Sequence, residues 1–235
     1  MLAGCHHGNK TAYTPPPPAY SRGNGSSKTA RSGTTHPGAP PNAGAPGFFD
    51  DTSTPPVVSE TGLATWYYAR ERAGSDGALY GTTAPTAAHK TLPLGSTVRV
   101  TNLQNGESTY VRITDRGPFV PGRILDMSEY AAKQIGLYRP GVARVRVEAF
   151  PHPGADPQGR WCVQTGPFSA EDDALDLKSA LSGRYVGARV SEFRGSTGFW
   201  VRIDPASRTR ADANGIAGWI GAPDARTNSY LVRVN

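Results

Sequence analysis

Two short polar segments of this sequence carry side chains that can move protons. The first is residues 86–95, TAAHKTLPLG, which contain His89. The second is residues 115–119, DRGPF, which begin with Asp115. A neutral imidazole beside a carboxylate is suited to general acid–base catalysis. Because strand-like segments run between the two residues, we expect the chain to fold back and bring His89 near Asp115.

Both residues also have plain structural explanations. His89 could bond backbone groups inside a barrel, and Asp115 could form a turn or an ion pair with Arg116. Asp126 is expected to order the turn before a helix rather than to do chemistry. The sequence has no Cys/His cluster at metal-ligand spacing and no phosphate-binding glycine loop, so we expect no metal and no cofactor.

The elements that would position these side chains are mainly β strands. Residues 97–103 and 108–114 alternate apolar and polar side chains, and the Asn105-Gly106 turn between them is typical of a hairpin. A short helix is predicted over residues 129–134, with Ser128 as its N-cap and Gly136 ending it. Residues 144–150 would form a closing strand. Many short strands with one helix favour a small barrel over residues 61–150.

A second unit is predicted over residues 160–235. Helices are expected near residues 170–181 and 208–220, between strands that include residues 163–168, 185–192, 201–203 and 229–234. The order βαββαβ is that of a ferredoxin-like domain, with both helices on one face of a four-stranded sheet. The fold class is therefore mainly β plus α+β.

The remaining segments have linker composition. Ten of the 21 prolines lie in the first 60 residues, so residues 6–60 are expected to be a disordered tether. Residues 151–159 form a second, short linker. The net charge of +6 is compatible with an anionic polymer such as cell wall or nucleic acid, but it does not choose between them.

Residues 2–5, LAGC, read as the lipobox of a bacterial lipoprotein, which would make Cys5 the lipidation site in a remnant covering residues 1–5. Chance similarity of four residues is the alternative. The charged and apolar parts of a signal peptide are absent, from which we infer that the true start lies upstream or that the chain was trimmed. His6 follows the cysteine instead of an aspartate, which favours the outer membrane in a diderm cell. A disulfide between Cys5 and Cys162 is not expected.

Six motifs within residues 61–150, in order and at matching spacing, resemble the double-psi β-barrel domain of the RlpA (rare lipoprotein A) family of lytic transglycosylases. They are GLATWY, TAAHKTLPLG, VRVTNL, NG, DRGPF and GRILDMS. Residues 160–235, with WCVQTGPFS, look like a SPOR domain, which in that family binds glycan strands stripped of stem peptides. The resemblance implies cleavage between N-acetylmuramic acid and N-acetylglucosamine to leave 1,6-anhydro ends.

The resemblance also implies three working positions. Two are His89 and Asp115, but the third, a glutamate in the family, is Ala78 here. Three explanations stay open. The barrel has lost activity and only binds glycan, Asp76 or Glu71 substitutes as the acid, or Asp115 acts alone as acid and base with help from His89.

Several side chains are candidates for binding glycan. In the second unit, Val163, Val201, Ile203, Val232 and Val234 are expected under the helices. The alternating residues would then form an open face, with Leu231 as an apolar exception. The glycan-binding candidates are Trp66, Tyr67 and Arg116 in the barrel and Gln164, Trp200, Arg202 and Arg233 on that face, which also holds Cys162.

Three functions compete. The first is a lipid-anchored, monomeric transglycosylase on the periplasmic side of the envelope, directed by its SPOR domain to peptide-free glycan at the division septum. The second is a non-catalytic wall-binding protein of the same fold. The third is an RNA-binding module, because residues 194–202 loosely mimic the arginine-glycine-aromatic motif of such sheets. The lipobox and a motif spacing that is two residues too long count against it. We expect no nucleic-acid partner.

Overall fold

The computed structural model describes residues 49–68, 72–73, 75, 79–80, 83–195, 197–221 and 228–235. The predictions for Cys5, for the tether up to residue 48, and for Glu71, Asp76 and Ala78 lie outside these residues. No helix of the described part is long and apolar enough to cross a membrane.

Six strands close into a barrel in the order β1-β7-β4-β6-β5-β8. Two of the pairings, β1 with β7 and β4 with β6, are parallel, and the others are antiparallel. A two-stranded ribbon, β2 with β3, lies between β1 and β4 in the sequence. The bounds are β1 Val58–Tyr67, β2 Arg72–Ala73, β3 Leu79–Tyr80, β4 Thr86–His89, β5 Thr97–Asn102, β6 Ser108–Asp115, β7 Arg123–Ser128 and β8 Val142–Ala149.

Strand alternation fills the barrel interior. Val98 and Val100 of β5 face the same side as Val111 and Ile113 of β6, and all four are fully buried in one apolar cluster. The predicted hairpin between these strands is confirmed, and Gly106 in its turn has a φ of 76°, which glycine adopts without steric cost.

The predicted short helix is also confirmed. Helix α1 spans Glu129–Gln134, and the Ser128 side chain accepts a hydrogen bond from the Ala131 backbone N–H at its start. Beyond its end, Gly136 has a φ of 65°. The helix follows β7 directly, so its N-cap also fixes where the strand that carries Asp126 ends.

The second unit has the predicted βαββαβ order. Its sheet runs β10-β11-β9-β12, with every neighbouring pair antiparallel, which is a ferredoxin-like arrangement. Thr209 caps the second helix by accepting from the Asp212 N–H. The bounds are β9 Trp161–Phe168, α2 Glu171–Arg184, β10 Arg189–Gly195, β11 Gly198–Asp204, α3 Arg210–Ile220 and β12 Asn228–Arg233.

The prediction for the sheet's two faces is right for β9 and β11 but wrong for β12. Val163, Val201 and Ile203 pack under the helices, as expected. Leu231 also belongs to that side, whereas Val232 and Val234 pack on the opposite face. The pattern misled because both faces of this strand are covered, so an apolar side chain does not reveal which face it occupies.

The face away from the helices is partly covered, contrary to the prediction of an open face. Cys162, Trp200, Tyr230 and Val232 form a buried cluster on it, and Phe119 from the barrel packs against them. Trp200 is only 4% exposed. The Cys162 thiol makes no disulfide with a described residue, and burial raises its pKa to about 11.

Candidate active site

A cleft opens between the barrel and this sheet face. Its floor is formed by neighbouring strands, because Ala88 of β4 is the ladder partner of Asp115 on β6 and of Asp126 on β7. All three residues line the cleft. At the usual strand spacing, the two aspartate Cα atoms lie about 10 Å apart, across the small side chain of Ala88.

Asp115 is the partly exposed carboxylate of the floor. Its Oδ1 accepts hydrogen bonds from the Ser75 hydroxyl and, at 2.8 Å, from the Arg116 backbone N–H. The backbone bond fixes the side chain at the point where β6 ends and the loop of residues 116–122 begins. Asp115 thus combines a defined orientation with access to a ligand.

Asp126 is the buried carboxylate of the floor. It forms an ion pair with Arg123, and its Oδ1 accepts from the Thr65 hydroxyl at 2.5 Å. The strand order explains the second contact, since Thr65 on β1 is the ladder partner of Asp126. The carboxylate is therefore fixed by two donors while it still lines the cleft. Its surroundings do not fit the predicted role of ordering a turn.

The predicted pairing of His89 with Asp115 is wrong. The strands do bring the two backbones together, but the His89 side chain is 3% exposed and its Nε2 bonds to Glu60 on β1. Its Nδ1 accepts from the backbone N–H groups of Thr91 and Leu92, at 3.1 and 3.0 Å. His89 is not among the residues that line the cleft.

These contacts determine the protonation of His89. Because Nδ1 accepts two N–H groups, the proton of the neutral ring lies on Nε2, which donates to the Glu60 carboxylate. Burial lowers the pKa of His89 against the opposing effect of Glu60. The hydrogen bond from His89 in turn lowers the pKa of Glu60. The pair is a neutral imidazole and an ionised carboxylate.

Two cations brace the loop that follows Asp115. Arg116 Nη1 donates to the carbonyls of His89 and Leu92, at 3.2 and 2.6 Å. Burial, with a contribution from nearby Arg233, lowers the pKa of Arg116 to about 10. Lys90 Nζ donates to the carbonyls of Pro118 and Arg123, and burial lowers its pKa as well.

The two aromatic candidates of β1 face different ways. Tyr67 lines the cleft, with its hydroxyl 3.3 Å from Thr86 Oγ1. Trp66 instead packs against Tyr138, at 4.7 Å between ring centroids, and its indole donates to the Tyr138 carbonyl. The cleft therefore offers one of the two rings to a ligand.

The candidates of the second unit are likewise divided. Gln164 and Trp200 line the cleft. Arg202 forms an ion pair with Asp204, and Arg233 is buried, donating to the backbone carbonyls of Asn235 and Asp156. Arg233 pairs in register with Trp161, which belongs to the helix-side core, so its predicted position on the face away from the helices is wrong.

Comparisons with known proteins match both units. The family described as "Lytic transglycolase" matches residues 59–147, and the SPOR domain family matches residues 157–217. Both units are thus similar to the RlpA type of protein, with a lytic transglycolase barrel and a SPOR domain. The predicted fold, a double-psi β-barrel followed by a SPOR domain, is confirmed.

Curated relatives carry the RlpA name. The "Endolytic peptidoglycan transglycosylase RlpA" of Pseudomonas aeruginosa (strain UCBPP-PA14) is 49% identical over 107 residues, which are 45% of this chain and 30% of that protein. The protein of the same name from Neisseria meningitidis serogroup A is 44% identical over 124 residues, 52% of this chain and 48% of that protein. The chain thus spans less than half the length of these two relatives.

Among solved structures, the Streptomyces papain inhibitor matches with a TM-score of 0.35 and 20% identity, covering 41% of this chain and 98% of that one. A score at this level carries no information about activity.

Within the barrel, sequence reasoning missed Glu60 and undervalued Asp126. Glu60 lies outside every motif of the resemblance, and only the closure of β1 onto the barrel brings it to His89. Asp126 did lie within a motif, GRILDMS. The available signal was Arg123 three residues earlier, a cation at a spacing that allows it to hold the carboxylate.

Proposed function

We propose that this chain is a peptidoglycan lytic transglycosylase whose barrel cleaves the bond between N-acetylmuramic acid and N-acetylglucosamine. The observation that carries the proposal is the cleft floor, where Asp115 and Asp126 flank Ala88 and face the same space. Carboxylate pairs are the usual means of cleaving a glycosidic bond. The name of the relatives, whose matched segments include this barrel, gives the substrate class.

In the proposed reaction Asp115 acts as both acid and base. Its protonated carboxyl gives a proton to the glycosidic oxygen as the bond from that oxygen to C1 of the muramic residue breaks. The resulting carboxylate then takes the proton of the muramic 6-hydroxyl as O6 bonds to C1. One proton leaves Asp115 and one returns, so water is not consumed and the product carries a 1,6-anhydro ring.

The neighbouring groups support these steps. Asp126 lies across Ala88 from Asp115, and its carboxylate can stabilise the positive charge that develops at C1. His89 acts as a positioning residue. It holds the backbone of Thr91 and Leu92, and the Leu92 carbonyl holds Arg116 next to Asp115.

Ala78 favours a second candidate, a non-catalytic peptidoglycan-binding protein, because alanine cannot replace the family's glutamate as a proton donor. The reaction proposed above needs no substitute acid, and Asp76, the alternative acid, lies outside the described residues. Ser75 next to it in sequence donates to Asp115.

One experiment separates the two candidates. Purified protein is incubated with glycan strands that have been stripped of stem peptides by an amidase, and in parallel with untreated sacculi. Mass spectrometry then searches for 1,6-anhydro ends. The enzyme proposal expects anhydro products from the stripped strands. Binding to those strands in a pull-down without any anhydro product would establish the binding protein instead.

The proposed setting is the cell envelope. We propose that lipid on Cys5 anchors the chain to the outer membrane, that the SPOR domain directs it to peptide-free glycan at the division septum, and that it works as a monomer. Metabolic labelling with radioactive palmitate tests the anchor: the wild-type protein should incorporate label, and C5S should not. Equal label in both would refute lipidation at this position.

A further inference from the structure

The SPOR sheet contacts the loop of residues 116–122, which follows Asp115 on the cleft floor. Phe119 lies in that loop, and its ring packs between two aromatic rings of the sheet. The centroid distances are 5.8 Å to Trp200 and 5.7 Å to Tyr230, within the range of favourable aromatic pairs. The contact therefore buries apolar surface from both units.

Hydrogen bonds to main-chain carbonyls reinforce this packing. The Arg233 N–H at the end of β12 donates to the carbonyl of Lys90, at 3.0 Å, next to the end of β4. Arg116 Nη2 donates to the Asn235 carbonyl, at 3.3 Å. The sheet is thus attached at the two segments, residues 89–92 and 115–119, that shape the proposed active site.

The cleft between the two units is lined by both. Asp115, Asp126 and Tyr67 line it from the barrel, while Gln164, Phe193, Thr197 and Trp200 line it from the sheet. Its volume is about 280 Å³. Because small-molecule sites usually measure about 300–1,000 Å³, a cleft of this size accommodates little more than one sugar ring, which would touch both walls.

The sheet wall has groups that suit an N-acetylated sugar. Phe193, the ladder partner of Trp200, is 38% exposed and presents an apolar ring at the cleft. Gln164 supplies an amide that can donate to and accept from an acetamido group, and Thr197 supplies an exposed hydroxyl. A few polar groups around an aromatic ring are typical of a ligand site.

We propose that the SPOR sheet forms the second wall of the catalytic cleft, so that one sugar of the glycan contacts Asp115 on the barrel and Phe193, Gln164 and Thr197 on the sheet together. This goes beyond a SPOR domain that binds glycan at a separate place, and it rests on the proposed function only for the identity of the sugar. The sheet then determines which sugar residue is presented for cleavage.

Nuclear magnetic resonance of the full chain tests the shared site. The D115N variant, which prevents turnover, is titrated with a peptide-free tetrasaccharide of alternating N-acetylglucosamine and N-acetylmuramic acid. Amide signals of Gly117 on the barrel and Thr197 on the sheet should shift together and follow one saturation curve. Shifts confined to one unit, or two curves with different dissociation constants, would overturn the proposal.

A matched pair of variants gives the second readout. F193A, in the same D115N background, should weaken tetrasaccharide binding about tenfold through loss of a half-buried aromatic contact. The control is W219A, which removes an equally exposed ring that packs on Tyr185 and Arg184 away from the cleft, and it should leave binding unchanged. Equal weakening by both variants, or by neither, would count against the shared wall. Circular dichroism melting verifies that each variant is folded.

The two proposals can fail separately. If wild-type protein makes anhydro products while the tetrasaccharide perturbs only the barrel, the enzyme proposal stands and the shared wall is wrong. If no product forms while both walls titrate together, the shared site stands and the catalytic proposal fails.

Discussion

The barrel wall of the cleft is held by polar contacts, whereas the sheet wall is held by aromatic packing. On the barrel, Asp115 and Asp126 each accept two hydrogen bonds or ion-pair contacts from neighbouring strands and loops. On the sheet, Trp200 and Tyr230 are positioned by Phe119 and by each other. The barrel wall therefore holds charged side chains in place, whereas the sheet wall provides apolar contact surface. Substitutions on the barrel wall should mainly change the rate of cleavage, and substitutions on the sheet wall should mainly change the affinity for glycan.

The largest effect should come from D115N. An amide can neither give a proton to the glycosidic oxygen nor take one from the 6-hydroxyl, so the rate of anhydro-product formation should fall by about 10²–10⁴-fold. Binding to stripped glycan should be kept. The rate is measured by mass spectrometry, with D172N, in the exposed first turn of α2, as the matched control. Wild-type turnover in D115N would show that another residue acts as the catalytic acid and base.

The next effect concerns buried charge, and it compares the two units directly. D126N leaves the Arg123 guanidinium buried opposite a neutral amide, and we expect the free energy of unfolding of the barrel to fall by about 3 kcal/mol. D204N breaks the more exposed ion pair with Arg202 in the sheet and should cost about 1 kcal/mol or less. Urea unfolding of both variants measures the difference. Equal losses of unfolding free energy in D126N and D204N would contradict the expected difference between the buried ion pair and the more exposed one.

Substitutions of His89 should separate positioning from proton transfer. H89A removes the acceptor for the N–H groups of Thr91, which is partly buried, and Leu92, which is buried. The loss should cost about 2–3 kcal/mol of unfolding free energy. H89N can place its Oδ1 where Nδ1 was, so it should regain much of the stability and of the turnover, unlike H89Q. If His89 itself carried a proton in the reaction, H89N would be as inactive as H89A, and turnover would show this.

The smallest effect is a pH dependence confined to the barrel. The folded-state pKa of His89 is below its ordinary 6.5, so the unfolded chain binds more protons as the pH falls through 6.5, and stability decreases. The lowered pKa of Glu60 extends the loss below its ordinary 4.5. Lys90 and Arg116, which face the same pair, remain charged over this interval. Urea unfolding at pH 7.5, 6 and 5 should therefore show falling stability, with a shallower fall in H89N between pH 7.5 and 5. An identical profile in H89N would assign the dependence to another group.

The sequence predicted the backbone well because the relevant signals are local. The hairpin at Asn105-Gly106, the Ser128 cap and the βαββαβ order all depend on residues close in the chain. The presence of Asp115 and Tyr67 at the cleft also followed from motifs. The catalytic role of Asp115 stays a prediction.

The misses are contacts between distant segments. Glu60 reaches His89 through barrel closure, which no periodicity encodes. The sheet face with Trp200 was expected to be open. Alternation along a strand shows which side chains share a face, but it does not show whether another part of the molecule covers that face. Phe119, the aromatic residue of the DRGPF motif, was the available signal for the covering surface.

The labelling rate of the buried Cys162 thiol can report how often the two units separate. This thiol lies in the cluster that Phe119 closes, and its raised pKa, about 11, keeps it protonated and slow to alkylate while the two units stay docked. In a chain with Cys5 replaced by serine, the rate at which a maleimide dye attaches reports how often the sheet lifts from the barrel. Slower labelling in the presence of saccharide would show that the ligand holds the two halves together.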